Sequence, residues 1–211
     1  MLTSSVTKTS GIGELQIPGG EMWQSNKAMG VSSATACLYQ YMLDNFEPKP
    51  LKALELGSGS GVLSLMLARH YLAWQITGVE IQENLHHLAV HNANHLRVPV
   101  SFICADLNYF VAEQKFNLIV ANPPWQKLGS GLLSPLYERA VSRSEVLCTL
   151  AQVIDCCKRN LWDGGSAILL YPISRKEEVL QEAASACLEI QAIQPADNSS
   201  LIFHLSSRTY I

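Results

Sequence analysis

The chain has 211 residues, 48% of them apolar and 16% charged, with a formal net charge of −3. That length allows one domain with a substantial core, and the composition excludes a disordered chain. The slight acidity excludes an indiscriminate coat for nucleic acid, while leaving room for a local basic patch.

Residues 1–20 are polar and glycine-rich and are expected to be loose. They lack the basic start and apolar stretch of a secretory signal. Residues 22–43 have the pattern of one or two amphipathic helices, ending before EPKP. From there strands and helices alternate. LKALEL is a short apolar strand, GVLSLMLARHY a helix opened by a glycine-rich turn, WQITGVE a strand and QENLHHLAVHNANHL a helix. VSFICAD and FNLIVAN are strands around a short helical piece. A longer connection, PPWQKLGSGLLSPLYERAV, leads to the helix SEVLCTLAQVIDCCKRNL. The turn WDGG feeds the strand SAILLYP and the helix SRKEEVLQEAASACL, and two strands joined by a Pro-Asp-Asn turn close the chain.

Apolar strands alternating with amphipathic helices imply a parallel sheet covered on both faces, an α/β architecture. The terminal hairpin adds an antiparallel strand at one side. A single domain over residues 1–211 is expected, with 1–47 as a lead-in to a core at 48–211. No apolar run approaches the ~20 residues a bilayer needs, so no membrane partner and a cytoplasmic location are expected. The six cysteines form no CxxC pair and are expected to be reduced, buried and apolar in role.

In an open sheet of this kind, ligands bind at the carboxyl ends of the strands. Four consecutive strands end there in acceptors: Glu55 with GSGSG, Glu80, Asp106 and Asn122. Gly57, Gly59 and Gly61 give G-x-G-x-G; a dinucleotide fingerprint needs a further spacing, and its third glycine position is Val62. A tight turn without ligand also explains the glycines. Glu80 lies about ~20 residues beyond the loop, where a ribose-binding acid is expected, although an acid there can equally cap the next helix. Asp106 can accept from an adenine amino group or cap LNYFVAE.

Asn122, Pro123, Pro124 and Trp125 end the fourth strand. Adjacent prolines cannot extend a central sheet. An asparagine oxygen and the Pro123 carbonyl can each accept one N–H of a planar amine. Pro124 restricts Pro123 to extended backbone, and Trp125 offers a stacking face. Trp23 and Asn26 are candidates to fold over a cofactor. His87, His91 and His95 sit at metal-binding helical spacing but read better as a solvated face. Lys127, Arg139, Arg143, Lys158, Arg159, Arg175 and Lys176 either edge an RNA-binding surface or are scattered solvating charges.

LELGSGSG, GVEI, CADL and NPPW together resemble the class I S-adenosylmethionine-dependent methyltransferases. The resemblance implies a Rossmann-like fold with a mostly parallel seven-stranded sheet, S-adenosylmethionine as cofactor and no metal. It would place Glu55, Gly57, Gly59 and Gly61 beside the methionine part, Glu80 and Ile81 at the ribose, and Asp106 and Leu107 at the adenine. Asn122 would border both cofactor and target, and Asn122 to Trp125 would hold the target nitrogen. The segment SPLYERAVSRSEVLCTLAQVIDCCKRNLWDGG, with Arg143 and Glu145, is similar to the tRNA adenine-N6 methyltransferases of the small-domain group. Trp125 stands where their commoner residue is Tyr or Phe. An RNA substrate, tRNA first, and a monomer or homodimer are expected. The alternatives are a protein-glutamine N5 methyltransferase, a nicotinamide-dependent oxidoreductase, or a catalytically silent binding subunit.

Overall fold

The computed structural model describes residues 6–9, 11–12, 15–16, 21–25, 33–123 and 148–208. Its centre is a seven-stranded sheet. Strands β5 (Lys52–Leu56), β6 (Gln75–Glu80), β7 (Val100–Cys104), β8 (Phe116–Ala121) and β9 (Leu161–Pro172) are parallel. Strands β10 (Leu188–Pro195) and β11 (Ser200–Ser207) complete it as a hairpin, with β11 antiparallel to β9. The order β10-β11-β9-β8-β5-β6-β7 reverses direction between β5 and β8. The strand ends at such a switch point leave a crevice that no crossover helix fills.

The central strands are buried because both faces are covered. Helices α1 (Ser33–Asn45), α2 (Val62–His70) and α3 (Glu83–Leu96) come from one side of the alternation. Leu38, Met42, Leu63 and Met66 join Leu118, Val120, Ile168 and Ile202 in one core. The opposite face packs α4 (Leu150–Asn160) and α5 (Lys176–Ser185) through Val153, Cys157, Val179 and Ala183 against Leu54, Ile119 and Leu169. Helix α4 begins at a reciprocal capping box, in which Thr149 and Gln152 satisfy each other's backbone donors.

Several sequence expectations are corrected. Strands β1 (Val6–Thr9), β2 (Gly11–Ile12) and β3 (Leu15–Gln16) lie in the segment expected to be loose, and β4 (Met22–Ser25) in the segment expected to be helical. Strand β4 pairs antiparallel with β1, and Met22 is fully buried. The helical piece after Asp106 is a succession of turns. Its backbone is held from α4: the Asn160 amide accepts from the Ala112 N–H and donates to the Phe110 carbonyl. The WDGG turn is present as a bulge within β9, whose pairing with β8 stops at Leu161 and resumes at Ser166. Cys156 and Cys157 are buried, and burial pushes the Cys156 thiol up to about 11. Cys104 and Cys187, by contrast, are exposed.

Candidate active site

Register brings the four acceptor-bearing strand ends to one edge. Leu56 lies beside Val79 and Ala121, and Glu80 beside Cys104. The residues that follow, from Gly57, Ile81, Ala105 and Asn122 onward, therefore emerge side by side.

The glycine loop folds over the tip of β6, where the N–H groups of Gly57 and Ser58 both donate to the Val79 carbonyl. Gly57, Gly59 and Gly61 have φ of 69°, 56° and 83°, the left-handed region that side chains resist. The three differ in what surrounds them. A Cβ on Gly57 or Gly59 would meet nothing within 4 Å, so the loop backbone faces open space. A Cβ on Gly61 would meet the Phe102 ring at 2.6 Å and Ala89 at 3.1 Å. Gly78 is crowded by the same ring at 2.7 Å. Two glycines thus keep space in front of the loop, and two let β7 and α3 pack behind it.

Glu55 and Glu80 are both buried beneath this space. Glu55 accepts from the backbone N–H of Ser64 at 3.0 Å and from the Ser64 hydroxyl. Burial pushes its carboxyl up to about 8, against the pull of the Ser64 bonds, with the nearby Glu80 charge adding to the rise. Glu80 accepts from Gly59 N–H at 2.8 Å through one oxygen and from Gln82 N–H at 2.9 Å through the other. Desolvation raises its pKa too, partly offset by these bonds. The Ile81 backbone and the Gln82 side chain bond to it as well, so Glu80 is held in place by its own loop and the start of α3. Asp106 accepts from Asn108 N–H at 2.8 Å through Oδ1, closing its own turn. Leu107 is buried and its carbonyl accepts from Arg159 at 2.7 Å. Ile81 is half-buried, and its carbonyl accepts from the Cys104 thiol at 3.9 Å.

Asn122 is half-buried at the end of β8, and Pro123 is buried. The Asn122 amide nitrogen donates to the Thr35 hydroxyl of α1 at 3.3 Å. Pro124 and Trp125 lie outside the described residues, as do Asn26, Lys127, Arg139, Arg143 and Glu145.

Other candidates have different roles. Trp23 packs edge-on against His91 and His95, with ring centroids at 4.9 Å and 4.5 Å. The indole therefore sits on α3 against His91 and His95, while His87 and His95 are exposed, in keeping with the solvated face expected. Among the described residues no cluster of three His, Cys, Asp or Glu can hold a metal ion. Arg159 bonds the turn after Asp106 and pairs with Asp155; Arg175 is buried, paired with Glu178 and stacked over Tyr171. Both serve the fold. Lys158 and Lys176 are exposed.

Sequence reasoning missed Asn92, which is fully buried in α3. Its oxygen accepts from the Trp23 N–H, and its nitrogen donates to the carbonyls of Trp23 and Ser60, all at 2.9 Å. One amide therefore ties β4 to the glycine loop. The available signal was a polar residue on the apolar stripe of Leu85, Leu88 and Leu96; Asn160 shows the same signal beside Val153 and Cys157. Thr35 left no such signal.

The family model described as the methyltransferase small domain matches residues 28–145, more than half of the chain. The chain belongs to this family. As a member it is an S-adenosylmethionine-dependent methyltransferase, which sets aside the oxidoreductase reading. The open space before Gly57 and Gly59, over two buried carboxylates, fits that cofactor. The chain is 28% identical to the tRNA1(Val) (adenine(37)-N6)-methyltransferase of Vibrio parahaemolyticus, over 91% of this chain and 80% of that one. It spans only 32–57% of three further bacterial proteins of the same name. The release factor glutamine methyltransferase of Escherichia coli is 27% identical over 70% of this chain and 56% of its own. Among solved structures, the Thermus thermophilus 16S rRNA N2 G1207 methyltransferase superposes with a TM-score of 0.69 at 19% identity. That match covers 99% of this chain and 52% of the other.

Proposed function

We propose that this methyltransferase acts on an exocyclic amino nitrogen, adenine N6 in tRNA or another RNA, in the cytoplasm. The observation that carries the proposal is Asn122 at the tip of β8, its amide nitrogen turned to Thr35 and its oxygen without a hydrogen bond among the described residues. Pro123 follows with its ring buried. The name of the Vibrio relative supports the adenine target.

The amino group of an adenine is conjugated with its ring, so its lone pair is delocalised. The Asn122 oxygen and the Pro123 carbonyl each accept one N–H, which holds the nitrogen and favours a tetrahedral arrangement with its lone pair presented. Pro124 keeps Pro123 extended, so the acceptor is aimed before the substrate arrives. Trp125 stacks on the base. S-adenosylmethionine supplies an electrophilic methyl carbon when bound. Glu55, Gly57 and Gly59 would line its amino-acid end, with Gly61 closing the loop behind them; Glu80 and Ile81 would meet its ribose, and Asp106 and Leu107 its adenine. Positioning provides most of the acceleration, and the nitrogen's proton leaves to solvent as the new bond forms, with no strong base needed.

Replacing Asn122 with Ala should lower turnover on bulk tRNA by two orders of magnitude or more, the scale of losing a preorganised polar contact in the transition state. Cofactor affinity should stay within about threefold, well under the ~1.4 kcal/mol that tenfold represents. Retained turnover would remove Asn122 from the chemistry. A second reading, methylation of a protein glutamine amide, uses the same two acceptors and is favoured by the glutamine methyltransferase relative.

A further inference from the structure

We propose that Asn92 is a positioning residue for the glycine loop, and that through it docking of the β1–β4 pair and binding of S-adenosylmethionine strengthen each other. The proposal rests on the reading that the cofactor lies against Gly57 and Gly59; it does not depend on which nitrogen is methylated.

All but one of the N–H groups from Gly57 to Gly61 are already used. Gly57 and Ser58 donate to the Val79 carbonyl, Gly59 to Glu80, and Gly61 to the Ser58 carbonyl at 2.8 Å. The Ser60 N–H has no hydrogen bond among the described residues, which leaves it as the loop's donor for a ligand acceptor. Ser60 lies between two glycines of positive φ, where the backbone has the freedom to turn. Its carbonyl accepts from the Asn92 amide nitrogen at 2.9 Å.

Asn92 holds that carbonyl because it is itself held by β4. The same nitrogen donates to the Trp23 carbonyl and the oxygen accepts from the Trp23 N–H, both at 2.9 Å. A backbone N–H only donates and a carbonyl only accepts, so these partners admit a single orientation of the amide. With β4 in place the amide cannot turn, and the bond to Ser60 is fixed with it. Trp23 is docked in turn by its ring, which is edge-on to His91 and His95 and has Lys8 Nζ at 5.1 Å from its centroid. Met22 beside it is buried in the core. When β4 undocks, the amide is free to rotate and the loop loses its anchor. Cofactor binding must then order the loop as well, and affinity falls.

The test needs no methyl acceptor. In the wild-type protein, saturation with S-adenosylhomocysteine should slow exchange of the Trp23 N–H, read by NMR, about three- to tenfold, the scale of one hydrogen bond. Amides of the β10–β11 hairpin, at the edge of the sheet opposite β7, should change less than about twofold. Trp23→Pro removes the N–H that Asn92 accepts from and the ring that rests on α3, without altering the loop sequence. Its calorimetric affinity for S-adenosylhomocysteine should fall by the same factor, because linkage is reciprocal. Asn92→Leu should show the same loss, and adding Trp23→Pro to it should cost less than about twofold more. Val179→Ala, buried between α5 and the sheet, is the stability control. It should lower the melting temperature and leave affinity within about twofold. Unchanged exchange at Trp23, equal protection of the β10–β11 amides, wild-type affinity in Trp23→Pro, or losses that add in the double variant would each overturn the proposal. So would a loss of affinity in Val179→Ala equal to that in Asn92→Leu. Wild-type affinity in Gly59→Ala would instead overturn the placing of the cofactor at the loop.

Discussion

Alanine at position 59 and alanine at position 61 make the same chemical change in the same loop, yet they should fail in different ways. Both positions have positive φ, 56° and 83°. An added Cβ there costs ~1–2 kcal/mol in backbone strain, lowering the melting temperature by ~2–4 °C per kcal/mol in a chain of this size. Gly59→Ala adds nothing to that, since no atom lies within 4 Å of its Cβ. Gly61→Ala also drives a methyl into the Phe102 ring at 2.6 Å and against Ala89 at 3.1 Å. Overpacking of that kind costs a further ~1–3 kcal/mol. Binding should show the reverse order. The Gly59 methyl enters the space assigned to the cofactor; a comparable ~1–3 kcal/mol clash weakens binding roughly five- to 150-fold. The Gly61 methyl points away and should leave affinity within about threefold, less than ~1 kcal/mol. Thermal unfolding and calorimetric titration with S-adenosylhomocysteine measure the two quantities on the same samples. Wild-type affinity in Gly59→Ala, or a selective loss in Gly61→Ala, would refute the assignment of the open space to the cofactor.

Glu55 should make the ligand-free protein less stable as pH rises. Its folded pKa, about 8, lies above the ordinary 4.5, so the folded state keeps a proton that the unfolded chain releases between those values. Stability is fullest below 4.5 and declines toward about 8 by roughly 3–5 kcal/mol; Glu55→Gln should flatten most of that slope in urea titrations across the range, and an unchanged slope would contradict it. Asn92→Leu should lose ~2–4 kcal/mol, because it strands the Trp23 N–H and the carbonyls of Trp23 and Ser60. Hydrogen exchange should then rise in β4 and in the glycine loop together; a rise confined to β4 would show that the two are not coupled. Arg159→Met should free the turn after Asp106 by removing the bond to the Leu107 carbonyl, weakening cofactor binding a few-fold at ~0.5–1.5 kcal/mol.

The alternation of strands and helices from residue 51 onward was legible because the central strands β5, β8 and β9 carry apolar runs and α2 and α4 open at a glycine turn and a capping box. The strand tips were legible for the same reason: once β5 to β8 are parallel and in register, Glu55, Glu80, Asp106 and Asn122 have nowhere to go but one edge. The lead-in was not. Strand β4 is held by Asn92 and by the ring contacts of Trp23 with α3, and a tertiary contact across nearly 70 residues has no trace in the local pattern of either partner. The turns after Asp106 were misread as helical because their apolar residues suit a short helix. Their conformation is imposed from outside by Arg159 and Asn160. Thr35 was invisible since its hydrogen bond depends on where α1 docks.

The most direct measurement feeds the purified chain bulk tRNA and a release-factor protein in parallel, with S-adenosylmethionine carrying a deuterated methyl group. Both products are then digested and read by mass spectrometry. Deuterated methyl on the exocyclic nitrogen of adenosine, lost in Asn122→Ala, is the expected result. Label on glutamine alone, or on a ring nitrogen, a sugar oxygen or neither macromolecule, would contradict the proposal that this site acts on adenine N6.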